Sequence, residues 1–162
     1  MIERPVRIPT LGPRGEGWVF IQMVLLVGVA VAGLVGGPWL EYLQVPALVT
    51  AIISGVAGLW LASSGVRTLG KSLSPLPKPP TVSELKESGA YALVRHPIYG
   101  GILLLSLAWS LALSPWAPIP TGALAIALAF KSRVEERWLI DRHPTYAGYR
   151  QRVRHRFVPH LW

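Results

Sequence analysis

Two stretches of the chain, RHPIYGG at 95–101 and RHPTYAG at 142–148, share the pattern Arg-His-Pro-x-Tyr-x-Gly. Proline suits the opening turn of a helix, where its missing N–H leaves nothing unsatisfied, so Pro97 starts a helix with Arg95 and His96 just outside it. The positive helix end and these two potential donors suit an anionic group, for instance the carboxylate of an amino-acid-like ligand. Tyr91 and Tyr99 flank the place with hydroxyls and rings, while Gly100 and Gly101 permit close approach of a ligand or of another helix. The same residues also fit an interfacial belt of aromatics and cations. A second cluster is Glu135 with Glu136. Carboxylates beside an apolar run need partners, and Lys131, four residues before Glu135, and Arg133, three before Glu136, supply them on a helix at about 0.2–0.5 kcal/mol per pair. On spacing alone a solvated helix face is the better fit.

The elements that must position these groups are apolar. The 162 residues are 51% hydrophobic yet carry a net charge of +8, and the two properties are segregated. Stretches 18–37, 45–66, 98–113 and 115–130 contain no Asp, Glu, Lys, Arg or His. Each approaches or reaches the roughly 20 residues that cross a bilayer core. The expectation is an all-α integral membrane helical bundle of about four transmembrane helices with a cytoplasmic C-terminal helical extension, one domain over 1–162. The last two stretches are short and proline-interrupted, so a tight hairpin is the alternative. All 16 Lys and Arg lie in the N-terminal tail (Arg4, Arg7, Arg14), between 67 and 95, or from Lys131 onward. By the positive-inside rule, both termini, the 67–97 loop and the 131–162 tail are cytoplasmic. The charge thus reports topology and contact with anionic lipid headgroups, not nucleic acid.

Finer expectations follow. Val82 to Ser88 suits a helical turn capped by Gly89. Residues 131–143 continue the fourth helix into the cytoplasm, with Trp138 and Leu139 at the membrane interface, until a turn at Pro144. The tail, with Val153, Phe157, Leu161 and Trp162 among cations, reads as an interfacial amphipathic segment. Small residues, Gly33 with Gly37 and Ser54 with Gly58, suit close packing of the first two helices. No cysteine is present, which removes disulfides, thiolate metal sites and cysteine nucleophiles, and no metal site is assigned. Residues 65–72, GVRTLGKS, spell a phosphate-binding loop, but an apolar span precedes them and SPLPKPP follows, where that loop needs a strand and a helix. No glycine fingerprint of a dinucleotide-binding domain occurs either.

Taken in order, LGKSLSPLPKPP, ELKESGAYALVRHPIYGG, an apolar hairpin, EERWL and YAGYRQRV resemble the isoprenylcysteine carboxyl methyltransferase and phospholipid methyltransferase superfamily over roughly residues 67–159. The resemblance implies S-adenosyl-L-methionine as cofactor, a lipophilic or lipid acceptor reached from the bilayer, and residence in a bacterial or archaeal plasma membrane. It places cofactor contacts on Tyr91, His96, Pro97, Tyr99 and Glu135, with Leu85 and Lys86 in the stretch lining the cofactor; Arg95 joins them through the helix-start cluster. The superfamily's acceptor-side arginine falls on Lys131, with Arg133 nearby. Lysine cannot reproduce the bidentate fork with which arginine holds a carboxylate, which leaves the acceptor open. A nicotinamide-dependent membrane reductase of related architecture and a non-catalytic lipid-binding adaptor are the alternatives. In the second Arg-His-Pro copy the superfamily pattern uses only Tyr146 and Tyr149. His143 has no counterpart there, and its proline is expected to start a charged interfacial segment with no pocket behind it.

Overall fold

A computed structural model describes residues 8–79, 84–159 and 161. Five α-helices follow one another: α1 Glu16–Val35, α2 Glu41–Leu69, α3 Pro97–Leu113, α4 Pro118–Arg142 and α5 Tyr146–Arg152. Single 3₁₀ turns lie at Gly70–Ser72 and Gly89–Ala92, and there is no strand among the described residues. Sequence punctuation sets these bounds. Gly15 adopts φ +85° before α1, and Gly36, Gly37 and Pro38 close it. Gly70, at φ +50°, ends α2, so the phosphate-loop lookalike is a helix terminus. Proline opens both α3 and α4.

α1 and α2 are long and apolar enough to cross a membrane; α3 is a shorter apolar helix. On α2, Val49, Ile52, Ile53, Val56, Leu59 and Trp60 are each more than half exposed. An apolar face of that extent suits lipid rather than water.

α2 packs chiefly on α3, while α1 packs on α3 and α4. The glycine expectation is corrected accordingly: Gly58 meets Leu104 of α3, and Gly33 meets Trp109 of α3. A Cβ on Gly101 would lie 2.5 Å from that of Ala62, so the α2–α3 approach depends on glycine. Ser110 and Thr121 join their hydroxyls at 2.7 Å across the α3–α4 hairpin. The core beneath the hairpin gathers Leu103, Leu124, Leu128 and Phe157.

Phe157 corrects the interfacial reading of the tail. Its ring is fully buried, because the carbonyls of His155 and Arg156 accept from the backbone N–H groups of Arg95 and His96, at 3.0 and 2.8 Å. Gly100, having no side chain, leaves room for the Phe157 carbonyl. The tail is thereby laid against the start of α3. α4 does run on past Lys131 without a break until the turn at Pro144, as its sequence predicts. Residues 84–88 are not helical, and Gly89 begins a 3₁₀ turn instead of capping a helix. Val82, Arg4, Arg7 and Trp162 lie outside the described residues.

Candidate functional site

The first Arg-His-Pro copy and the glutamate pair of α4 come together. Arg95, 8% exposed, donates from Nε to Glu136 Oε1 at 2.9 Å. Its Nη1 donates to the Val153 and Arg154 carbonyls at 2.8 and 2.6 Å. His96 Nε2 lies 3.1 Å from the same Glu136 oxygen, which makes Nε2 the protonated nitrogen toward an ionised carboxylate. The anion that this helix start receives is therefore the chain's own Glu136. Burial works to raise the Glu136 pKa, but the His96 hydrogen bond, then the charges of His96, Arg95 and Arg156, hold it down at about 2. Arg95 and Glu136 are thus internal struts.

Glu135, one residue earlier, turns the other way. Its Oε2 accepts from the Tyr99 hydroxyl at 2.7 Å and stands 3.8 Å from His96 Nδ1. The His96 and Tyr99 rings stack, with planes 1° apart and centroids at 5.4 Å. Pro97, buried at the first position of α3, fixes the backbone from which His96 and Tyr99 project.

Two cavities share this wall. One is lined by Ser72, Leu85, Lys86, Arg95, Leu139 and His143 among others. The second is lined by Gln22, Val66, Ile98, Tyr99, Ile102 and Lys131 among others. Leu69, Ser74, Tyr91, His96 and Glu135 line both. Burial and the neighbouring Glu135 charge push the Tyr91 phenol well above its ordinary pKa, so it stays a neutral hydrogen-bonding group.

Lys131 and Arg133, the two candidates for an acceptor-side cation, part here. Lys131 is 1% exposed; its Nζ donates to Gln22 Oε1 at 2.6 Å and lies 5.0 Å from the centre of the Tyr99 ring. Arg133 is exposed and sits over Phe130, lining neither cavity, because two residues along a helix turn a side chain to another face. Lys86 lines the first cavity and pairs with Glu84 at 2.8 Å. Leu139 also lines that cavity.

Gln22, His143, Tyr146 and Tyr149 are the residues that sequence reasoning left out of the site. Gln22 carried a signal, being the one side chain with an amide in the first apolar stretch. The second Arg-His-Pro copy has a pocket behind it after all: His143, Tyr146 and Tyr149 line the first cavity, and the Tyr149 hydroxyl donates to the Tyr91 carbonyl at 2.8 Å. The signal was a four-residue stripe, Lys131, Glu135, Leu139 and His143, along one face of α4.

The described residues thus form a helical bundle with two helices apolar enough to cross a membrane and two cavities that share one wall. The chain matches the phospholipid methyltransferase family over residues 46–146, more than half its length. It belongs to that family, within the isoprenylcysteine and phospholipid methyltransferase superfamily, whose members are membrane-associated methyltransferases acting on lipid-type substrates. No curated protein matches the chain.

Proposed function

We propose that this protein is an S-adenosylmethionine-dependent methyltransferase of the cytoplasmic membrane face. It binds the donor in the cavity lined by Lys86 and His143 and a lipophilic acceptor in the cavity lined by Lys131. The observation that carries this reading is the shared wall of Tyr91, His96 and Glu135, at which the two cavities meet. Bound S-adenosylmethionine supplies an electrophilic methyl group on a sulfonium.

The chain's own residues supply alignment and dryness. Methyl transfer is an in-line displacement in which orientation contributes more than a strong acid or base. Glu135, its Oε2 fixed by Tyr99, offers a carboxylate to the donor's ammonium or ribose hydroxyls. Tyr91, Tyr99 and His96 wall the junction against water, and excluding water favours a step that disperses positive charge. Lys131, steadied by Gln22, presents a cation to an acidic or phosphate-bearing acceptor. Four spans with both termini cytoplasmic, and a single domain over 1–162, complete the reading. It is supported by the lipid-suited surface of α2 and by the family's membrane association. Family membership favours methyl transfer over a nicotinamide-dependent reductase or a non-catalytic adaptor.

Calorimetry in lipid nanodiscs tests the donor site. Saturable binding of S-adenosylhomocysteine, lost in Glu135→Gln and weakened in His96→Ala, is expected. Folded protein that binds NADPH and no S-adenosylhomocysteine would overturn the reading.

A further inference from the structure

The cavity lined by Lys131 does not end at Ile102. On α1, Gln22 lines that cavity, and Leu26 and Ala30 follow it at one-turn spacing. On α3, Ile98 and Ile102 line it, and Leu105, Ser106 and Trp109 carry the same stripe onward. Leu26, Ala30, Leu105, Ser106 and Trp109 line an apolar groove between the two helices, and Ile102 lines both spaces. Ser106 is buried, whereas Leu105 and Trp109 are each more than a third exposed. The serine is therefore the floor of the groove and the larger side chains are its rim.

The far end of the groove is closed. Gly33, one turn beyond Val29 on α1, is buried, and a Cβ placed there would meet Trp109 and Leu113 of α3. A Cβ on Gly36 would meet Ser114 in the same way. The seam between α1 and α3 is thus shut from Gly33 onward, and the Trp109 indole is the last side chain that the groove reaches. From Ile98 to Trp109 the helix rise is about 16 Å, the reach of roughly a dozen carbons in an extended chain. A chain that leaves the bilayer for this groove gains little from the transfer itself, because lipid tails are as apolar as leucine. The groove contributes fit. A chain of matching length keeps its packing contacts along the whole run, whereas a longer one meets Trp109 and has to turn out.

We propose that this groove holds one hydrocarbon chain of the acceptor, with the acceptor's head group at Lys131 and Gln22, and that Trp109 sets the chain length the protein accepts. This rests on the methyl-transfer reading and assigns the part of the acceptor that lies in the membrane. Ser106 and Ala30 keep the groove open, and Trp109 is a specificity residue.

The test is photolabelling of the full-length protein in nanodiscs doped with phosphatidylethanolamine or phosphatidylglycerol that carries a diazirine midway along one chain, with adducts mapped by mass spectrometry. Calorimetry with S-adenosylhomocysteine is run on the same nanodiscs. With at least one of the two lipids, adducts on Ala30, Ile102 and Ser106 are expected to exceed those on Ile53, an exposed residue of α2, by about fivefold. Single-chain lysolipids, compared at equal mole fraction in the bilayer, compete best near about twelve carbons. Ser106→Leu fills the floor and removes the groove adducts, and Ala30→Leu carries the test if that variant fails to fold. Trp109→Ala keeps the adducts and moves the best competitor to chains about four carbons longer, roughly one helical turn. Groove adducts no more abundant than those on Ile53, or unaffected by both leucine variants, overturn the groove assignment. A competition profile unchanged by Trp109→Ala overturns the role of the tryptophan. Either result with S-adenosylhomocysteine still bound leaves the methyl-donor reading standing. Groove adducts on folded protein that binds no S-adenosylhomocysteine overturn the methyl-donor reading, and the acceptor assignment with it.

Discussion

Replacing Glu136 by glutamine keeps the shape of the side chain and removes its charge, and the cost can be worked by two routes. Glu136 is 3% exposed, and its Oε1 gathers Arg95 Nε at 2.9 Å, His96 Nε2 at 3.1 Å and Arg156 Nε at 3.5 Å. Burial opposes ionisation, yet the His96 hydrogen bond and the surrounding charges hold the carboxyl at about 2 against an ordinary 4.5. That difference corresponds to roughly 3 kcal/mol of folding stability at neutral pH. Independently, removing one partner of a buried ion pair costs about 3–5 kcal/mol, because the other charge is left uncompensated. At about 2–4 °C per kcal/mol for a chain of this size, Glu136→Gln lowers the unfolding midpoint by roughly 6–20 °C. The folded pKa is depressed, so the stabilisation is complete above pH 4.5 and disappears as pH falls towards about 2. Wild type therefore loses it across that window and Glu136→Gln, having none to lose, does not. Glu135→Gln is the control: its side chain is 25% exposed and glutamine can still accept from Tyr99, so its midpoint stays within about 1 kcal/mol of wild type. The assay is tryptophan-fluorescence melting in detergent from pH 2.5 to 7. A Glu136→Gln midpoint within 4 °C of wild type at pH 7 would refute the division of labour between the two glutamates.

Gly100→Ala drives a Cβ into the Phe157 carbonyl, so it should cost at least about 1–3 kcal/mol and expose the tail to limited proteolysis. A proteolytic pattern identical to wild type would count against the tail packing described here. Gln22→Leu removes the acceptor from Lys131 Nζ and should destabilise by about 1–3 kcal/mol in the same melting assay. Arg133→Ala, at an exposed site outside both cavities, should stay within about 0.5 kcal/mol and bind S-adenosylhomocysteine as wild type does. Lys131→Met should leave that binding intact while lowering methyl transfer about a hundredfold, the scale on which acceptor alignment acts.

α1 to α4 were legible because each holds a long uncharged run with glycine or proline near its ends, and α4 was legible beyond its apolar part because nothing in KSRVEERWLIDRH breaks a helix; α5, with Arg150 and Arg152, was not. The tail was not. Alternating cations and apolar residues fit a membrane surface, and only the structure reveals that the Arg95 and His96 N–H groups recruit tail carbonyls and draw Phe157 inward. For the same reason the pair Glu135 and Glu136 could be singled out while their roles could not. Adjacent helical residues diverge by a large angle, and which of them meets Arg95 depends on how α4 is rotated against α3. The second Arg-His-Pro copy was discounted on its flanking charge, whereas past the turn at Pro144 its Tyr146 and Tyr149 line the first cavity together with His143.

The most direct test of the account is transfer of isotopically labelled methyl from S-adenosylmethionine to lipid, with the purified protein in nanodiscs made from bacterial membrane extract. Label in an organic-extractable product, present with wild type and absent with Glu135→Gln of unchanged midpoint, is the predicted result. Label that appears equally with both proteins, or in neither while S-adenosylhomocysteine binds and every lipid class has been supplied, would contradict it.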